Sequence, residues 1–277
     1  MSPPAVVLTE YLQSAAREGQ LSWQAQQQAA VRFGCSARGV ELAALQMGLL
    51  PSRYQRNRET ISPQGQLRLC QARVVVIGCG GLGGYLLELL ARLGVGQLRA
   101  VDPDCFEEHN LNRQLFATIA SLGQAKVEAA RERLALVNPA VEMEALPCAL
   151  TRDNAPELLQ GAQVAVDALD NLATRHLLQQ QCALDGLPLV HGAVAGWYGR
   201  LGTALPVMAD ESRCSGFQAD DRQRGGLEQQ LGNPCFTPAL IAALQAAEVC
   251  KLLLGEGELL VGRQLWVDLL TMEFLPL

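Results

Sequence analysis

VVVIGCGGLGG, residues 74–84, runs four apolar residues straight into a cluster of glycines. The apolar run reads as a buried strand, and Leu82 to Leu93 as an amphipathic helix. Gly78, Gly80, Gly81 and Gly83 therefore fall at a strand-to-helix junction. Glycine there permits a tight turn and a close approach of backbone to phosphate. The helix N-terminus adds unpaired N–H groups and a dipole that favours an anion. At the end of the next strand stands Asp102, a carboxylate suited to ribose hydroxyls. Strand, glycines, helix and acid in this register predict a nucleotide site. They fit an NAD enzyme as well as an ATP enzyme.

Outward from this unit the alternation continues. Strands are expected at Gln97–Asp102, Val141–Leu146, Gln163–Ala168 and Leu187–His191, with helices at Gly123–Val137, Asn154–Gln160 and Leu172–Asp185. Alternating βα units predict an α/β fold with a Rossmann-like, doubly wound, mostly parallel sheet. A polar loop at Ala209–Asn233, an apolar helix at Pro238–Leu254 and a strand at Gln264–Phe274 complete the expectation. Upstream, helical spacing covers Val6–Arg17, Ser22–Phe33 and Ser36–Met47, with Ser22 and Ser36 as N-caps and Gly34 as a stop. The chain thus divides into a helical module (1–50), a basic, proline-marked arm or linker (51–72) and a large α/β domain (73–277).

Composition bounds the function. Of 277 residues, 49% are apolar and 18% charged, enough for a sizeable core. A formal net charge of −6 argues against a general nucleic-acid or anionic-membrane surface. The N-terminus lacks the features of a secretory signal, and glycine or charge breaks each apolar stretch. Nine cysteines show no pairing rhythm, which suits reduced thiols and a cytoplasmic setting.

The residues after Asp102 separate the two nucleotide chemistries. DPDCFEEHNLNRQLF holds Asp104, Asn110, Arg113 and Gln114, and GQAKVEAARERL brings Lys126 early onto a helix. A dehydrogenase has no general need of an Arg and a Lys beside its ribose acid. A triphosphate enzyme does, because fixed cations offset the charge that builds on leaving pyrophosphate. Each cation taken alone reads as an ordinary surface residue. Asp170 follows the apolar strand VAVDAL, at a strand end where ligands bind in open α/β sheets. Asp167 in the same stretch competes with it for a metal role, or is a structural acid that binds backbone amides. Asp104 positions a cation or ribose, or merely ends the strand. His191 reads as a packed histidine rather than a base.

VVVIGCGGLGG, DPDCFEEHNLNRQLF, GQAKVEAARERLALVNP and VDALDNLATRHLL resemble the ThiF/MoeB/HesA family, the bacterial relatives of the ubiquitin-activating enzymes. The resemblance runs from about Arg53 to Phe274. It implies ATP and Mg²⁺ bound on a Rossmann-like sheet. It also implies adenylation of the C-terminal glycine of a ubiquitin-fold sulfur carrier ending in Gly-Gly, for sulfur-containing cofactors such as thiamin or molybdopterin. Carried over, Gly81 lies beside the nucleotide, Asp102 on its ribose, and His109, Asn110, Leu111, Asn112 and Arg113 along the phosphates. Arg113 and Lys126 contact phosphate. Asp170 holds Mg²⁺, with Asn171 beside it. The arm RYQRN resembles the family's RYxRQ, which implies that Arg56 reaches a neighbouring subunit's site in a homodimer.

The chain also departs from the family. Many relatives carry two CxxC pairs for zinc; this sequence contains no CxxC, so no structural zinc is expected. Cys235, just before the apolar helix, is a candidate nucleophile or an inert thiol, and Cys214 a weaker candidate. QQAAVRFGCSARGVELAA fits a helix-turn-helix, yet residues 1–50 balance three Arg against three Glu, which favours a packing or docking module over DNA reading. An NAD(P)-dependent oxidoreductase and a noncatalytic nucleotide sensor remain the rival readings.

Overall fold

A short parallel pair, β1 (Gln20–Leu21) and β2 (Leu50–Pro51), accompanies one sheet of eight strands. The computed structural model describes residues 3–206 and 231–277, with side chains from residue 7 onward. In chain order the strands of this sheet are β3 (Arg73–Ile77), β4 (Gln97–Val101), β5 (Glu142–Leu146), β6 (Val164–Asp167), β7 (Leu189–Ala195), β8 (Tyr198–Ala204), β9 (Gln264–Asp268) and β10 (Glu273–Pro276). Across the sheet they lie in the order β10-β9-β8-β7-β6-β3-β4-β5. The run β7-β6-β3-β4-β5 is parallel, and β8, β9 and β10 add antiparallel strands at one edge. Val74, Val75, Val76 and Ile77 of the central strand are buried on both faces, as helices covering both sides of a parallel sheet require.

Two features at the antiparallel edge differ from expectation. β8 lies where no element was expected, since glycine interrupts YGRLGTA. Gly199 is required there: a Cβ would stand 2.4 Å from Ile241 on the apolar helix that crosses the sheet. The expected strand at 264–274 is a hairpin of β9 and β10, turning through residues 269–272.

The covering helices are α5 (Gly81–Leu93), α6 (Lys126–Val137), α7 (Ala155–Leu159), α8 (Leu172–Asp185) and α9 (Phe236–Leu254). α9 is long and apolar enough by length and composition to cross a bilayer. It packs here as a core helix: its Ile241, Ala242, Ala246 and Val249 join Val190, Leu201 and Leu86 in the main apolar cluster.

Upstream, α1 (Pro3–Ala15), α2 (Trp23–Phe33) and α3 (Ala37–Gln46) close a small core of their own around Leu12, Leu21, Ala29, Val40 and Ala44. Ser22 and Ser36 cap α2 and α3 as expected, and Gly34 takes the left-handed conformation that stops α2. Residues 51–72 are more than an arm. A 3₁₀ turn at Ser52–Tyr54 buries Tyr54 completely, and α4 (Pro63–Gln71), capped by Ser62, buries Leu69 and Cys70. Ser-Pro is an N-cap followed by an N1 proline, so the proline marks a helix start here rather than a linker. Only the segment around Gln55–Thr60 is turn and largely exposed.

Tyr54 joins the module to the sheet domain. Its hydroxyl donates to Glu41 of α3 (2.7 Å) and accepts from the Asn138 amide at the end of α6 (2.9 Å). Arg53 hydrogen-bonds Asn138 Oδ1, approaches Glu41 at 3.7 Å and lies over the Trp23 ring.

Candidate active site

A cavity of about 270 Å³ opens at the C-terminal ends of β3, β4, β5 and β6. In an open parallel sheet this is where the connections diverge and ligands bind. Gly78, Gly80 and Gly81 line it, together with Asp102, Asp104, Arg113, Gln114, Lys126, Asp170 and Asn171. Residues expected from four separate stretches of sequence thus meet around one opening.

The floor is the glycine turn. Gly78 has φ +98°, and a Cβ on it would lie 2.5 Å from the Ala168 carbonyl oxygen. Gly80 occupies the N-cap of α5 and supplies no side-chain cap, leaving the first-turn amides of that helix for an incoming anion. Gly83 serves packing instead. Its Cβ position is filled by the Gly78 carbonyl, and it does not line the cavity.

Asp102 is buried. Its Oδ2 accepts from the Cys79 amide (2.6 Å) and its Oδ1 from the Asp104 amide (2.8 Å). Burial pushes its carboxyl above the usual range, against the pull of the Cys79 amide and of nearby Lys126. The acid therefore fixes the β4 loop to the glycine turn while lining the cavity. Lys126 is only 6% exposed and its Nζ lies 2.9 Å from Asp104 Oδ2. Arg113 donates to the His109 carbonyl (3.0 Å) and to Asn112 Oδ1 (2.9 Å). Both cations thus rest on neutralising or carbonyl oxygens of the chain. Gln114 is buried with its Oε1 unpartnered among the described residues.

Asp170 stands apart from these pairs. Its carboxylate is exposed, lines the cavity just beyond β6, and engages no partner among the described residues. An oxygen donor with open lone pairs at that place suits Mg²⁺, which takes one or two protein carboxylates and completes its shell with phosphate and water. Asn171 caps α8, its Oδ1 accepting from the Thr174 amide at 2.9 Å. Asp167 has no solvent exposure and takes the structural role. Its Oδ1 accepts from the Leu169 amide (2.9 Å), and its Oδ2 meets His191 Nδ1 (2.6 Å) and Arg175 Nε (3.2 Å). Burial works against the ionised form, but Arg175 and His191 outweigh it and hold the carboxyl below its usual range. Burial lowers His191 from 6.5 to about 4, so it is a neutral, packed ring.

Some expected residues lie elsewhere. Asn110 is buried and accepts from the Glu107 amide (2.9 Å), closing a turn behind the cavity wall. His109, Leu111 and Asn112 do not line the cavity; Asn112 reaches across to the Asn233 carbonyl at 3.2 Å. Arg56 is exposed and is no part of its own chain's cavity. Cys235 is exposed at the N-cap of α9, between the cavity-lining Asn233 and Pro238. Cys214 and residues 209–230 of the expected loop lie outside the described residues. Cys148, Ala149, Leu150, Thr174, Val194 and Pro238 line the cavity and were not anticipated. The rule that ligands sit at strand C-termini points to 148–150, directly after β5; no motif marks the others.

Comparison with known proteins finds relatives of this chain. A model of the ThiF family matches residues 54–277. The SAMP-activating enzyme E1 of Haloferax volcanii is 37% identical over 230 residues, covering 80% of this chain and 83% of the relative. The sulfur carrier protein adenylyltransferase of Thermus thermophilus is 37% identical over 219 residues, covering 77% and 81%. Among solved structures, E. coli MccB with ATP superposes with a TM-score of 0.68 at 20% identity, over 81% of this chain and 70% of that one, a likeness of fold.

Proposed function

Because the chain belongs to the ThiF family, we propose that it is an ATP-dependent adenylyltransferase acting on the C-terminal carboxylate of a ubiquitin-fold sulfur carrier. The observation that carries the reading is the convergence of Lys126, Arg113 and Asp170 on a cavity floored by uncapped helix amides. Cations and amides of this kind suit a triphosphate. A hydride-transfer enzyme would have no use for them in that number.

In this mechanism the carrier's terminal carboxylate oxygen attacks the α-phosphorus of ATP. The bond from that phosphorus to the bridging oxygen breaks, and pyrophosphate leaves. No general base is needed, because the nucleophile is already ionised. The chain's task is alignment and charge neutralisation. The amides of Gly80, Gly81 and Leu82 cradle phosphate, and Asp102 orients the ribose. Lys126 exchanges Asp104 for a phosphate oxygen, and Arg113 exchanges the His109 carbonyl. Asp170 would hold Mg²⁺, which would supply further neutralisation of the triphosphate charge. Arg56, exposed and absent from its own cavity, supports a homodimer in which it completes the neighbouring site.

ATP–pyrophosphate exchange with Mg²⁺, run with ThiS- and MoaD-type carriers ending in Gly-Gly, tests the reading. Carrier-dependent exchange is expected. Nicotinamide dinucleotide binding without exchange would overturn it in favour of the oxidoreductase.

A further inference from the structure

Asp170 makes no hydrogen bond of its own among the described residues, so its direction is set by its neighbours on both sides. On the far side, Asn171 is fixed as the N-cap of α8. On the near side, both polar backbone groups of Leu169 are taken by buried side chains. Its N–H donates to Asp167 Oδ1 at 2.9 Å, and its carbonyl accepts from Arg175 Nη2. Arg175 is 3% exposed and Asp167 0%. Their Nε–Oδ2 distance is 3.2 Å.

The clamp is itself anchored in three directions. Arg175 Nη2 also reaches the Gly192 carbonyl on β7 (3.4 Å). Asp167 Oδ2 meets His191 on β7 (2.6 Å). The Asp167 carbonyl accepts from Gln245 of α9 (2.9 Å). A Cβ on Gly192 would collide with Gln245 at 2.4 Å, so β7 leaves room for this anchor.

A buried ion pair is an expensive way to stabilise a fold. Well-packed apolar residues of similar volume often serve as well or better. Fixing both polar groups of one loop residue is what such a pair offers and apolar side chains do not. From this geometry we infer that Arg175 is a positioning residue: with Asp167 it clamps Leu169 so that the Asp170 carboxylate faces the metal of the bound nucleotide. The inference rests on the proposed role of Asp170. Arg175 touches neither nucleotide nor metal. Its planar fork spans Asp167 and the Leu169 carbonyl at once, and lysine keeps the charge without the fork.

Mn²⁺ replaces Mg²⁺ as the probe, and its binding to the full chain with ATP is read by electron spin resonance, with no carrier present. Nucleotide binding is read separately in EDTA. Arg175→Lys is expected to weaken Mn²⁺ binding about tenfold, the scale for loss of an outer-shell partner, with nucleotide affinity in EDTA unchanged. In an Asp170→Asn background Mn²⁺ binding is already weak, and Arg175→Lys adds no further loss. Arg175→Gln is the harsher variant. Should it fail to fold, Arg175→Lys retains the charge beside Asp167 and carries the test. Wild-type Mn²⁺ affinity in Arg175→Lys overturns the inference. So does an equal loss in the Asp170→Asn background, or a matching loss of nucleotide affinity in EDTA. A wild-type protein without an Asp170-dependent Mn²⁺ site overturns it too. Failure of carrier-dependent exchange would instead strike the proposed function, since no carrier enters this test.

Discussion

Asp167 beneath the cavity and Glu41 on α3 of the helical module are 0% and 1% exposed, yet their surroundings treat charge in opposite ways. Asp167 has Arg175 at 3.2 Å, His191 at 2.6 Å and a backbone amide at 2.9 Å, and its carboxyl is held below the usual range. Glu41 has one hydrogen bond from Tyr54 and a guanidinium at 3.7 Å that is shared with Asn138 and the Trp23 ring. Burial wins there, and the Glu41 carboxyl rises. Charge survives desolvation when several donors converge on it, and not when one distant cation is divided among partners. The first arrangement holds a loop residue in place beside Asp170. The second fastens one module to another.

Substitution to alanine should break this pair unequally. Asp167→Ala leaves Arg175 buried without its carboxylate and should cost about 3–5 kcal/mol of stability in denaturant melts. Glu41→Ala leaves Arg53 with Asn138 and Trp23 and strands chiefly the Tyr54 hydroxyl, a cost of about 1–3 kcal/mol. Equal losses would end the contrast. Asp170→Asn probes what the Asp167 network serves. It should lower pyrophosphate exchange about 10²–10³-fold, the range for one lost electrostatic stabiliser, while the melt stays at the wild-type value. Full exchange activity in that variant would remove Asp170 from the metal site.

Acid titration separates the two carboxylates with smaller effects. Folding depresses Asp167 and His191, so their contribution is complete above the unfolded values. The His191 part is lost as pH falls from 6.5 toward about 4, and the Asp167 part drops away below its ordinary 3.8. Folding raises Glu41, so its contribution is complete below 4.5 and is lost as pH rises through the higher folded value. Glu41→Gln, which still accepts from Tyr54, should therefore gain stability over wild type toward neutral pH by about 1 kcal/mol, read from melts across pH. A constant difference at every pH would show that Glu41 does not change its proton affinity on folding.

The parallel half of the sheet was legible because apolar runs such as β3 and β6 alternate with segments of helical spacing. α8 lies at Leu172–Asp185 as its pattern predicts. β8 was not legible, since its Gly199 answers to Ile241 on a helix some forty residues away. The 51–72 stretch misled because basic and proline-rich sequence resembles a linker, while Tyr54 is buried through partners on α3 and α6 that no local pattern reveals. Of the motif positions, Gly78, Gly80, Gly81, Asp102, Arg113, Lys126 and Asp170 reach the cavity, while Gly83, His109 and Arg56 do not. Cys148–Leu150 carry no motif and were open only to the strand-end rule, and Pro238 has no sequence signal at all. Asp102 and Asn110 share one lesson: short polar side chains near a ligand site also hold the loops that build it.

The strand order has a consequence for how the protein comes into being. The cavity draws its lining from Ile77 through to Pro238, and its central strand β3 pairs with β4 soon after but with β6 only when Val164 has been made. A nascent chain can bury the glycine turn early, but the lining of the cavity is incomplete until α9 has emerged and crossed the sheet. Such long-range pairing is slow to form. Nucleotide present during synthesis therefore acts on the finished fold rather than on its precursors, drawing the last step forward by mass action. ATP is in that sense a witness to completed assembly before it is a reactant.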